Sequence, residues 1–122
     1  MFNWFKKKDK NKTSPSQNGP DFSNVNSNEK AIGLYNKGEL VKVHLMPLEF
    51  GGEDSPRNTL YAPEFAQQFK QRFDAMIENL LHEGKNLSYN VQPSYKGKSF
   101  IPSVLTIKVT GDADFTETIN VW

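Results

Sequence analysis

Apolar residues are sparse and irregular over the first third of the chain and strictly periodic over the rest. From Glu39 to Met46 they alternate: Val41, Val43 and Leu45 fall on one face, with Leu40, Lys42, His44 and Met46 on the other. A period of two predicts a strand. The alternation stops at Pro47, and the stretch to Asn58 carries Gly51-Gly52, several carboxylates and Pro56, which predicts a long loop. Pro63 suits the first position of a helix, where a missing N–H costs nothing, and Gly84 suits its stop. Between them Phe65, Phe69, Phe73, Met76, Ile77 and Leu80 recur at spacings of three and four. That is one broad apolar stripe, read as a core-facing side.

The period then returns to two. Leu87, Tyr89 and Val91 alternate before a Lys96-Gly97-Lys98 turn; Leu105, Ile107 and Val109 alternate before a Gly111-Asp112 turn; Phe115, Ile119 and Val121 follow. Short, turn-separated strands predict an antiparallel meander with a helix packed on one face. The expected fold class is α+β.

Upstream, residues 9–30 are rich in Asn, Ser, Lys, Gly and Pro, with Phe22 and Val25 the only large apolar side chains. So little apolar surface predicts a flexible linker. The folded domain is expected to begin between Glu29 and Tyr35, dividing the chain into residues 1–30 and 31–122. Residues 1–8 set Met1, Phe2, Trp4 and Phe5 before Lys6, Lys7 and Lys8. Aromatics beside lysines suit a weak membrane-surface contact, and a solvated terminus is the plainer alternative. Apolar before basic is the reverse of a secretory signal, and no apolar run reaches the roughly 18 residues a bilayer requires. The expected location is the cytoplasm, unless a dedicated secretion system exports the protein.

Charge separates the same two regions. Residues 1–40 carry seven lysines against four acids, and residues 41–122 carry eight Lys/Arg against ten Asp/Glu. Phosphate-gripping domains usually show a basic excess, because counterion release supplies much of their affinity, and residues 41–122 show none. Cysteine is absent, which excludes disulfides, thiolate metal sites and a cysteine nucleophile.

Two histidines carry the remaining catalytic options. His82 falls near the helix C-terminus, where a cation complements the helix dipole. His44 falls near a strand end, just before the glycine- and acid-rich loop. Phosphodiester hydrolysis needs a general base near neutral pH, which imidazole supplies, and a divalent cation to stabilise charge on the phosphate. Magnesium accepts oxygen ligands and keeps several waters, so one amide oxygen plus substrate suffices to hold it. The loop carboxylates Glu53 and Asp54 suit either cation binding or a solvated turn.

The segment His44-Leu45-Met46-Pro47-Leu48-Glu49-Phe50-Gly51-Gly52, followed by Asn58, resembles the DNA/RNA non-specific endonuclease family of bacterial secreted toxins. The likeness continues through Gly84-Lys85, Val91-Gln92-Pro93-Ser94-Tyr95-Lys96-Gly97, and Ser99 with Pro102. It implies a ββα-metal finger: a β-hairpin and one long helix carrying the site, followed by antiparallel strands. In that frame His44 matches the general base and Asn58 the ligand of Mg2+. Lys96 and Lys98, with Glu53 and Asp54, are candidates for substrate or partner contact.

Departures run through the same segments. Val43 stands where the family has glycine, Lys42 or Val41 where it has an acid, Ala62-Pro63-Glu64-Phe65 replaces an asparagine-rich turn, and Ile101 replaces an arginine suited to phosphate. With the acidic balance of residues 41–122, they lead to the expectation of a catalytically impaired nuclease-like domain. It would bind a protein partner, within a toxin–immunity system. The alternative is an active Mg2+-dependent endonuclease with nucleic acid as substrate.

Overall fold

The structure is a computed structural model and describes residues 20–122. The aromatic-basic start and residues 9–19 of the expected linker lie outside the described residues. Helix α1 spans Asn28–Asn36, strand β1 Val41–His44, strand β2 Thr59–Ala62 and helix α2 Glu64–His82; strands β3, β4 and β5 span Leu87–Tyr95, Pro102–Gly111 and Phe115–Asn120. Two 3-10 turns, Leu48–Phe50 and Pro56–Asn58, occupy the long β1–β2 connection. The fold class is α+β.

Strands β1 and β2 pair antiparallel, with Val41 opposite Ala62 and His44 opposite Thr59. The other sheet is an antiparallel meander in the order β3-β4-β5. Its register sets Tyr89 opposite Val109 and Val109 opposite Phe115, so the alternating apolar residues of all three strands share one face. The opposite face carries Ser88, Asn90, Gln92, Thr106, Lys108 and Thr118. Helix α2 packs against β1 and β5. It closes the main core, in which Val43, Leu60, Ala66, Ile77, Leu105, Ile107, Val109 and Ile119 are buried.

Two features of the chain behave differently from the sequence expectation. Packing reaches further upstream than Glu29, because Val25, Ala31, Leu40 and Ile101 form a second buried cluster, with Phe22 and Trp122 against it. Few apolar residues suffice there because backbone and side-chain hydrogen bonds hold the segment: Phe100 N–H donates to the Val25 carbonyl at 2.7 Å, and Ser99 Oγ to the Phe22 carbonyl at 2.7 Å. Helix α1 is capped by Ser27, whose hydroxyl accepts from the Lys30 N–H at 3.2 Å. Its composition, with only Ala31 buried, carries little periodic signal.

The second difference lies on α2. The stripe read as one core face divides in two. Phe73, Ile77 and Leu80 join the core with Ala66, whereas Phe65, Phe69 and Met76 are 39%, 53% and 41% exposed. At about 100° per residue, positions 65, 69 and 76 lie within about 40° of one another, and 66, 73 and 77 lie further round the helix. Six apolar residues make too wide an arc for one contact surface, and its edge is left in solvent.

Candidate functional site

Between the turn at residues 47–50 and helix α2 lies a cleft of about 320 Å³. One wall is Lys42, Val43 and His44 of β1 with Pro47, Leu48, Glu49 and Phe50; the other is the α2 side bearing Gln67, Lys70, Gln71, Asp74 and Glu78. His44, the last residue of β1, therefore faces the cleft. Its Nε2 lies 3.1 Å from Asp54 Oδ1, and the carboxylate is the far more exposed of the two, at 72% against 26%. The structure thus brings His44 and Asp54 together, as the strand end and the glycine-rich loop allow.

Asn58 sits elsewhere. Its Oδ1 accepts from the Met46 N–H at 2.8 Å, and its Nδ2 donates to the carbonyls of Met46 at 2.9 Å and Glu53 at 2.8 Å. The side-chain amide acts as a strand partner for Met46 and ties the two ends of the loop together. It is not among the residues lining the cleft. Neighbouring contacts serve the same closure: Leu45 N–H donates to the Asn58 carbonyl at 2.9 Å, and Thr59 Oγ1 to the Ser55 carbonyl at 2.7 Å. Gly52 completes it, because a Cβ there would stand 2.0 Å from the Met46 carbonyl oxygen. Gly51, at φ 99°, makes the left-handed exit from the first 3-10 turn. The residues that carry the family resemblance here, Gly51, Gly52 and Asn58, thus form one loop-closing device.

The remaining sequence candidates are dispersed. Glu53 is exposed and contributes its carbonyl, not its carboxylate, to that device. Lys96 and Lys98 lie on the β3–β4 turn, with Lys96 Nζ 4.9 Å from the centre of the Trp122 ring. None of the three lines the cleft.

The buried ion pair of the cleft comes instead from the helix. Lys70 is 3% exposed, and its Nζ donates to Asp74 Oδ2 at 2.8 Å, one helical turn on. Tyr89, from the inward face of β3, donates its hydroxyl to Asp74 Oδ1 at 2.5 Å. The Tyr89 ring in turn stacks edge-on against Phe50 and lies 5.4 Å from Lys70 Nζ. Burial pulls the Lys70 ammonium below its ordinary pKa, against the opposing pull of the Asp74 hydrogen bond and of the Asp74 and Glu49 charges. Burial, and then the Asp74 contact, push the Tyr89 phenol well above its own. Asp74 is thereby committed on both oxygens.

This arrangement suits a cation poorly. A divalent ion placed about 4 Å from an ammonium is repelled by about 4 kcal/mol per unit of its charge at an effective dielectric of about 20. Among the described residues no three His, Asp or Glu side chains converge as a metal site requires. The sequence motifs pointed to the loop and missed Lys70, Asp74 and Tyr89. A signal existed: Lys70 lies four residues after Ala66 and seven before Ile77, on the buried side of the helix, with an acid at i+4 to pair with it. No family model, curated protein or solved structure matches the chain.

Proposed function

We propose that the chain is a non-catalytic, nuclease-like domain that binds a protein partner, in keeping with the toxin–immunity setting its resemblance implies. The observation that carries this reading is the commitment of the groups hydrolysis would need. Asn58 spends its amide on the loop backbone, Asp74 pairs with Lys70 and Tyr89, and Lys70 adds a cation to the cleft that His44 also lines. A general base without a metal lacks the charge stabilisation that phosphodiester cleavage requires. The exposed Phe65, Phe69 and Met76 supply an apolar edge suited to a protein contact.

The experiment is a cleavage assay of plasmid DNA and of structured RNA with Mg2+, Mn2+ or Ca2+. The expected result is no metal-dependent product at stoichiometric protein. Cleavage by the native chain that disappears in His44→Ala overturns the reading and restores the endonuclease alternative.

A further inference from the structure

Strand β3 forms one edge of its sheet, and among the described residues its strand partner is β4 alone. The Asp112 N–H donates to the Asn86 carbonyl at 2.9 Å, and the Val121 N–H to the Ser103 carbonyl at 2.7 Å. With Ser88 opposite Thr110 and Asn90 opposite Lys108, these two bonds fix which way each backbone group faces. Ser88, Asn90 and Gln92 turn theirs to β4, and Leu87, Tyr89 and Val91 turn theirs outward. Pro93 falls in the outward set, where its missing N–H breaks no bond to β4.

This edge lacks the usual protection. Its nine residues, Leu87–Tyr95, include no Lys, Arg, Asp or Glu, and Pro93 is its sole breaker. The opposite edge, β5, is six residues long and carries Glu117, with Asp112 and Asp114 in the turn before it. Open edges ordinarily carry charge, a break or a short length, because unpaired N–H and C=O groups recruit other strands. Strand β3 is also held in place from behind: Leu87, Tyr89 and Val91 pack against the main core, and Asp74 accepts from the Tyr89 hydroxyl. Its outward donors and acceptors are therefore presented in one geometry before any strand arrives.

We propose that β3 joins two copies of this chain, pairing antiparallel with β3 of a second copy about a two-fold axis at Tyr89. In that register Tyr89 exchanges both backbone bonds with its counterpart, and Leu87 exchanges both with Val91 of the second copy, twice by symmetry. Every outward N–H from Leu87 to Val91 then has an acceptor, and the ladder stops before Pro93, whose ring stands where the next donor would be. On the outer face Ser88 lies opposite Asn90 of the second copy, so no like charges meet across the axis. The absence of charge is what favours a second copy over a strand of another protein. Self-pairing sets a strand's charges against their own copies, whereas a foreign strand is selected by charges complementary to its own. The contact uses neither the lining of the cleft nor the exposed edge of α2, and it stands independently of the function proposed above.

Sedimentation equilibrium of the full-length chain from micromolar to millimolar concentration, with backbone amide exchange read at the same concentrations, tests the proposal. The expected result is a species of twice the 13.9 kDa chain mass. The Leu87, Tyr89 and Val91 amides are expected to gain protection as it forms, while Ser88 and Asn90, bonded to β4, are protected throughout. Ser88→Glu with Asn90→Glu sets two pairs of carboxylates against each other across the axis and is expected to weaken the dimer about ten-fold or more. Ser88→Lys with Asn90→Glu sets opposite charges at the same two places and is expected to restore it. Both positions are exposed, so the unfolding midpoint checks that each variant folds. A monomer throughout that range overturns the proposal, as does a dimer that the two double variants affect alike. Protection of the three amides in a monomer, independent of concentration, overturns it in favour of another segment of the same chain on this edge.

Discussion

The two walls of the cleft use polar side chains in opposite ways. Behind the loop wall, Asn58 and Thr59 direct their side chains to the loop's own backbone, and His44 of that wall meets the exposed Asp54 carboxylate. On the helix wall, Lys70 and Asp74 are paired with each other and with Tyr89 from the sheet behind, largely out of water. The loop wall is therefore a shape-holding structure that tolerates little backbone change, and the helix wall is an electrostatic one. A buried ion pair is costly to break and cheap to replace by apolar volume, whereas a backbone-satisfying amide has no apolar substitute.

The sharpest way to break this comparison is at Asp74. Asp74→Ala leaves a buried ammonium and a buried hydroxyl without their acceptor and is expected to cost about 3–5 kcal/mol in urea unfolding. Lys70→Met keeps the volume but leaves the Asp74 carboxylate without its cation; Asp74 keeps its Tyr89 donor and is the more exposed partner, at 15% against 4%, so the expected cost is smaller, about 2–3 kcal/mol. The reverse order of the two variants would show that Asp74 is not the hub of the cluster.

Next in size is the loop. Asn58→Ala removes three hydrogen bonds at about 1 kcal/mol each and is expected to cost about 3 kcal/mol. Asn58→Asp keeps the acceptor for Met46 N–H but loses both donors, for an expected loss of about 2 kcal/mol. A ligand role predicts the contrary for this variant: a carboxylate would hold a divalent ion more tightly, and added Mg2+ would raise its stability.

A smaller effect distinguishes the helix wall by pH. The Tyr89 phenol is raised above 10.0, first by burial and then by Asp74, so the folded state keeps a proton that the unfolded chain loses. Its contribution is whole below pH 10.0 and declines as pH rises above that value toward the folded pKa. Lys70 has the opposite sign: its pKa is lowered from 10.5, so its penalty fades as pH approaches that value. Stability measured in steps through pH 9–11 should lose its falling limb in Tyr89→Phe and its rising component in Lys70→Met. An unchanged profile in Tyr89→Phe would remove the phenol from the cluster. The smallest effect is expected on the outer edge of α2, where Phe65→Ser should cost less than about 1 kcal/mol against about 3 for the core-facing Phe73→Ala.

The same contrast explains what was legible in the sequence. Period-two alternation through Leu87–Val91 and Leu105–Val109 gave the meander, and Pro63 with Gly84 bracketed α2 to within two residues, because these signals are local. Helix α1 and the docking of Phe22 and Val25 were not legible, since they depend on carbonyls meeting Ser99 and Phe100 from some 75 residues away along the chain. His44 was placed correctly at the strand end and faces the cleft. The hydrogen-bonding capacity of Asn58 was visible, but its partners were not: an amide that can ligate a metal can equally cap backbone groups, and only the loop's path decides. Lys70 was hidden because a lysine inside a helix ordinarily reads as solvated.

The central claim is that the cleft of His44, Lys70 and Asp74 holds no divalent cation. Titration of the 15N-labelled chain with Mn2+, read as paramagnetic broadening of backbone amides and set against the same titration of Lys70→Met, tests it most directly. The account predicts no saturable broadening around His44, Asn58 or Asp74 in the native chain. Selective, saturable broadening at His44 and Asn58 that Mg2+ competes away would contradict it.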